Sequence, residues 1–132
     1  MERTFVMLKP DAVRRGLVGK IIARFEDKGL KIEGMRMQEI SRSLGQQHYD
    51  VHRDKPFYGE LVDFVTSGPV VVMKLAGENA IEVVRKLMGG THPKDADPGT
   101  IRGDWGLVIL ENLVHGSDGP ETAAGELKLF FG

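Results

Sequence analysis

Residues 69–76 read PVVVMKLA, and this run constrains the fold more than any other in the chain. It is β-branched and apolar with one interruption, it follows the breaker Gly68-Pro69, and it is too short for an ordinary buried helix. The pattern predicts a central strand of a sheet. TFVMLK predicts another strand, ending at Lys9 where Pro10-Asp11 begins. Residues 30–37 alternate apolar and polar, as a half-buried strand does. Between these two, Val18, Ile21, Ile22 and Phe25 fall at i, i+3, i+4 and i+7, which predicts an amphipathic helix closed by Gly29.

The remaining segments are assigned by the same rules. Ser43 and Gln46 have capping-box spacing and predict a short helix around LGQQHYDVH. A second helical piece follows Pro56, with Phe57, Leu61, Phe64 and Val65 on one face. NAIEVVRKLM predicts a helix capped by Asn79 and ended by Gly89-Gly90. GGTHPKDADPGTIRGDWG has little periodicity and reads as a long loop, a kind that in a compact domain is functional or disordered. NLVHG reads as a short last strand, and PETAAGELKLFF as a closing helix with Pro120 in its first turn. Two strand-helix-strand halves of this kind fit an α+β ferredoxin-like sandwich, a four-stranded antiparallel sheet covered by helices. At 132 residues the expectation is one domain spanning 1–132.

Composition narrows the function classes. Lys+Arg of 18 against Asp+Glu of 19 leaves a formal charge of -1, which argues against a specific nucleic-acid partner or a membrane surface. Any anion site must then be a local cluster of cations. The absence of cysteine excludes disulfides and thiolate metal sites. MERTFVMLKP is too quickly charged for a signal peptide, and no apolar run approaches membrane-spanning length, so a cytoplasmic location is expected. There is no G-x-x-x-x-G-K-[ST], no G-x-G-x-x-G and no H-E-x-x-H. What remains is a set of polar residues at element ends: Lys9, Arg85, Thr91, Arg102, Asn112 and His115. Three cations converging on one imidazole would make a polyphosphate site.

Read singly, several of these residues have plainer roles. Arg85 fits a helix-surface ion pair, and Phe57 and Tyr49 fit packing. His48, His52 and His92 read as solvated residues with no assigned role, and Arg14, Arg15, Arg24 and Lys28 as the wet face and end of the first helix. Met7, Met35, Met37 and Met73 read as core or edge fillers.

Four segments change that weighting. ERTFVMLKPDAVRRGLVGKII, SGPVVVMKLAGENAI, HPKDADPGTIRGDWG and NLVHGSDGPETA resemble the nucleoside diphosphate kinase family, in family order, from about Arg3 to Phe131. N-x-x-H-G-S-D is the most specific motif, reinforced by T-I-R-G-D and K-P-D. The resemblance implies a ping-pong exchange in which His115 takes the γ-phosphate of a nucleoside triphosphate and passes it to a nucleoside diphosphate. It implies phosphate contacts from Lys9, Arg85, Thr91 and Arg102, and ribose-hydroxyl contacts from Asn112 with Lys9. Phe57 would stack on the base, with Leu61 and Ile109 lining the slot and Tyr49 close to the phosphates and the histidine. Ser117 and Glu126 would hold the imidazole. Mg2+ would arrive with the nucleotide, bound through phosphates and water. A homo-oligomer is implied, and the P-G-T-I-R-G-D loop favours a hexamer over a tetramer. Many members continue beyond the point where this chain reads Phe130-Phe131-Gly132, and such tails join subunits. Ala12 stands where a glycine is usual, and Trp105 where a smaller residue is usual.

The chemistry agrees with those roles. An imidazole ordinarily titrates at about pH 6.5, so a neutral histidine nucleophile is abundant at neutral pH. It needs a bare attacking nitrogen and a bonded partner nitrogen, which a carboxylate can enforce. Phosphoryl transfer asks mainly for positioning and charge neutralisation. Stacking accepts every base, so broad nucleotide specificity is expected. Gly116 is expected to leave room beside the ring for a phosphate. The competing readings are a catalytically silent nucleotide-binding member of the same fold and a nucleic-acid-binding ferredoxin-like domain. The second lacks a basic surface and paired aromatics on adjacent strands.

Overall fold

A computed structural model describes residues 1–132. Four strands, β1 (Glu2–Leu8), β2 (Lys31–Gln38), β3 (Val70–Gly77) and β4 (Val114–Gly116), form one sheet in the order β2-β3-β1-β4. Every neighbouring pair is antiparallel. This is the ferredoxin-like α+β arrangement, with β1 and β3 in the middle as their unbroken apolar runs require. Side chains alternate between faces along a strand. Val6 and Leu8 therefore join Val71, Met73 and Leu75 in one core layer, while Phe5 and Met7 join Val70 and Val72 in the other.

Seven helices cover the sheet: α1 (Pro10–Arg14), α2 (Val18–Lys28), α3 (Arg42–His48), α4 (Tyr58–Val65), α5 (Ala80–Met88), α6 (Ile101–Trp105) and α7 (Pro120–Phe131). Ile21 and Phe25 of α2, with Val84 and Met88 of α5, fill the first layer. Val62 and Val65 of α4, Tyr49 after α3 and Phe130 of α7 fill the second. Gly29 closes α2 at φ +106°, a left-handed conformation that glycine adopts without steric cost. No helix is long and apolar enough to cross a membrane.

Several expectations need correction. β1 stops at Leu8, and Lys9 instead precedes α1, a one-turn helix that Pro10 begins. Ser41, not Ser43, caps α3 by accepting the Leu44 N–H; Ser43 lies inside the helix. Asn79 stands at the start of α5 in a left-handed conformation (φ +52°) and makes no side-chain cap, a role taken by Glu2, which accepts the Ile81 N–H. Of the face predicted for α4, Val65 is buried and Leu61 packs against the same core layer, but Phe57 is exposed and Val62 turns inward in addition. The long loop is largely ordered. Pro93–Asp95 makes a 3-10 turn, and Thr100 caps α6 by accepting the Gly103 N–H. Arg15 and Arg24 are not merely a wet face. Arg15 donates to the Trp105 carbonyl, while Arg24 donates to Gly99 O and Asp104 and stacks 4.3 Å over Trp105.

Candidate active site

His115 is presented by β4, whose pairing sets it opposite Met7. Its ring therefore leaves the sheet on the face covered by α3, α4 and α7. There it lines a cleft of about 660 Å³. Gly119-Pro120 start α7 four and five residues after His115, and this helix returns Glu126 to the ring. His115 Nε2 lies 2.8 Å from Glu126 Oε2, and Ser117 donates to Glu126 Oε1 at 2.5 Å. Ser117 is fully buried behind the ring rather than in the cleft. A carboxylate only accepts, so Nε2 carries the ring proton and the lone pair is on Nδ1. Nδ1 has no hydrogen-bond partner in the protein, and the side chain is 25% exposed.

Lys9, Tyr49, Phe57, Leu61, Arg85, Thr91, Arg102, Ile109, Asn112 and Glu126 line the same cleft. Lys9 is buried, and its Nζ donates to Asn112 Oδ1 at 2.8 Å. Asn112 Nδ2 in turn donates to the Thr91 carbonyl at 3.1 Å, joining the start of the long loop to β4. Burial lowers Lys9 to about 8, assisted by repulsion from Arg102 and opposed by Asp11. Arg102 is lowered to about 10, by burial first and Arg85 second. Three of its donors hold backbone carbonyls: Asn112 at 3.2 Å, Gly89 at 3.1 Å and Val114 at 2.7 Å. A guanidinium has five N–H groups, so two remain for a ligand. Arg85 donates to Gly116 O at 3.3 Å from an exposed position on α5.

The far end of the cleft is apolar and open. Phe57 is 44% exposed and Ile109 53%, with Leu61 half-buried between them and Val51 at the rim. Tyr49 is buried, and burial followed by the Glu126 charge pushes its hydroxyl up to about 12, so it stays protonated.

Two histidines assigned no role line this cleft. The His48 side chain is 1% exposed, and its ring stands edge-on to His115, centroids 4.7 Å apart at 84°. Burial, then the charges of His115, Lys9 and His52, hold it well below the usual imidazole range, so it is neutral. His52 tilts against Phe57 with centroids 5.5 Å apart. A histidine on a seven-residue helix has too little periodic context to show which way it faces. His92 accepts the Lys94 N–H and stays outside the cleft. Gly116 also differs from expectation. A Cβ there would meet Met88 Sδ at 2.6 Å, so the missing side chain makes room for α5 rather than for a ligand.

Comparison with known proteins gives one answer throughout. The family model for nucleoside diphosphate kinase matches residues 2–132. A nucleoside diphosphate kinase of Rubrobacter xylanophilus is 59% identical over 132 residues, covering 100% of this chain and 99% of that one. The apo crystal structure of nucleoside diphosphate kinase from Encephalitozoon cuniculi superposes with a TM-score of 0.98 at 44% identity, over 100% of this chain and 90% of that one. The nucleoside diphosphate kinase of Halobacterium salinarum in complex with CDP superposes with a TM-score of 0.96 at 52% identity, over 98% of this chain and 87% of that one.

Proposed function

Because the chain belongs to the nucleoside diphosphate kinase family, we propose that its cleft transfers phosphate through His115 and that residues 1–132 act as one domain. Its activity is that of a nucleotide phosphotransferase. In the first half-reaction the Nδ1 lone pair attacks the γ-phosphorus of a nucleoside triphosphate. The bond to the β-phosphate oxygen breaks, and the diphosphate leaves with that electron pair. The ring then carries phosphate on Nδ1 and a proton on Nε2, and the Glu126 carboxylate neutralises the positive charge that develops. A second nucleoside diphosphate reverses the path. The observation that carries this reading is the Nε2–Glu126 contact at 2.8 Å, with Ser117 holding the other carboxylate oxygen. It fixes the tautomer that an attacking Nδ1 needs.

Lys9, Arg85, Thr91 and Arg102 are the phosphate ligands in this reading, and Asn112 with Lys9 the ribose ligands. Their convergence in one cleft supports it. Phe57, Leu61 and Ile109 take the base, with no hydrogen-bond donor among their side chains to select one, so broad specificity follows. The donor set fits a Mg2+ carried by the nucleotide. Of the lining carboxylates Glu126 is engaged with His115 and Ser117, so Glu60 and Asp118 are the ones that could take up water bound to the ion. Bound there, Mg2+ would neutralise phosphate charge. Magnesium dependence, a cytoplasmic location and no specific nucleic-acid partner complete the proposal. So does a homo-oligomer, a hexamer in preference to a tetramer. The free edge of β2, with Met35 and Met37 half-exposed, supports association between copies.

The test is incubation with γ-labelled ATP and Mg2+, then a chase with GDP or CDP. Acid-labile label that leaves as triphosphate is the expected result. Absence of label, or label retained by His115→Ala, would overturn the proposal.

A further inference from the structure

Lys9 and Asp11 come from the same K-P-D segment, but only Lys9 lines the cleft. Asp11 is turned inward, 1% exposed, and its Oδ2 accepts the Leu113 N–H at 3.1 Å. Leu113 is the residue that needs explaining. Its φ is +75°, and the Val114 N–H donates across it to the Asn112 carbonyl at 2.9 Å, closing a three-residue turn. A branched residue in the left-handed region is strained, and it persists only where its surroundings impose it.

Here they do so on every side of the turn. The Lys9 N–H donates to the Leu113 carbonyl at 2.8 Å. Arg102 holds the carbonyls of Asn112 and Val114 on either flank. Asp11 supplies the bond to the Leu113 N–H itself. Lys9 Nζ goes to Asn112 rather than to this carboxylate, so Asp11 is not the lysine's hydrogen-bonded partner. Asn112 is the first residue of the turn, and His115 comes two residues after its strained centre. A rotation at Leu113 would therefore swing both side chains.

We infer that Asp11 is a positioning residue for the phosphoryl transfer: its carboxylate holds Leu113 in the left-handed turn that aims His115 Nδ1 and Asn112 into the cleft. The inference rests on the reading of His115 as nucleophile. Burial raises the Asp11 carboxyl against the opposing pull of Lys9, and its bond to the Leu113 N–H favours the charged form.

Asp11→Ala, Asp11→Asn, Leu113→Gly and the double variant Asp11→Ala/Leu113→Gly test it. The readouts are single-turnover labelling of the chain by γ-labelled ATP and equilibrium binding of ADP. Asp11→Ala is expected to slow labelling roughly tenfold or more and to weaken ADP binding by a smaller factor, because a displaced Asn112 loses a ribose contact while Phe57, Leu61 and Arg85 are anchored elsewhere. Asp11→Asn keeps an acceptor oxygen and is expected to lose less. Glycine adopts the turn without strain, so with Leu113→Gly already present, removing the carboxylate should slow labelling by only about threefold or less. Labelling within about twofold of the parent in Asp11→Ala, or the same loss with and without Leu113→Gly, overturns the inference. If Asp11→Ala does not fold by circular dichroism, Asp11→Leu, which is similar in size and cannot accept the Leu113 N–H, is carried through the same comparison under the same criteria. No label on the parent chain would overturn the His115 reading and this inference with it. A labelled parent with unaffected Asp11 variants overturns the inference alone.

Discussion

At its inner end the cleft is built from buried and part-buried polar groups, each engaged by another. Lys9 meets Asn112, Asn112 meets Thr91, Arg102 meets three carbonyls, and His115, Glu126 and Ser117 form one chain of contacts. At the outer end Val51, Phe57 and Ile109 are exposed apolar side chains on a 3-10 turn, at a helix start and in a connecting segment. The contrast follows from what each end has to do. Attack on phosphorus tolerates little misplacement, so the inner groups are fixed by buried hydrogen bonds that are costly to leave unmade. Holding a flat ring of any identity needs area rather than direction, and exposed apolar walls supply it. Substitutions at the inner end should change rate and stability, and those at the outer end only affinity.

Arg102→Ala is expected to have the largest effect. It strips the donor from three carbonyls around a buried position, and urea unfolding should show a loss of about 3 kcal/mol or more. Arg85→Ala, with one long bond from an exposed site, should lose about 0.5 kcal/mol or less. Equal losses would break the contrast within the phosphate end itself. Glu126→Ala comes next. Losing a charged hydrogen bond to the ring should slow phosphorylation roughly tenfold to hundredfold with nucleotide affinity unchanged, as single-turnover labelling would show. A loss in affinity alone would place Glu126 at the wrong end.

Lys9 makes the two ends separable by pH. Its charge is lost as pH rises through about 8, so kcat/KM should fall by up to about tenfold per unit above that value. Stability should move the other way. Between about pH 8 and the ordinary lysine value of ~10.4 the unfolded chain holds a proton that the folded chain has released, so unfolding free energy rises with pH. Parallel changes in activity and stability would rule out Lys9 as the source. Smaller still, Phe57→Ala should raise KM roughly tenfold for every nucleotide tested, since stacking is worth about 1–3 kcal/mol per base. A base-dependent effect would mean that the outer end discriminates after all.

The same contrast explains what could be read without coordinates. Val70 to Val72 announced their strand by an unbroken β-branched run, and Ile21 with Phe25 their helix by spacing, because in both the apolar pattern coincides with burial. The cleft's polar residues carried no periodic signal, and motif order in a known family brought them together. His48 escaped because its inward face depends on tertiary packing of a short helix, and Ser43 misled because capping-box spacing also occurs two residues inside the true cap, Ser41. Leu113 escaped for a different reason: leucine ordinarily avoids positive φ, so only the finished network of Asp11, Lys9 and Arg102 reveals that it is held there.

Arg24 stacked on Trp105 has an optical consequence. The chain has one tryptophan, so its indole emission reports a single place, the end of α6, the helix that also carries Arg102. Ligand or denaturant that unseats this segment should change the colour and intensity of that emission while the sheet is still intact. The molecule therefore contains its own lamp on the helix that carries Arg102, outside the cleft itself.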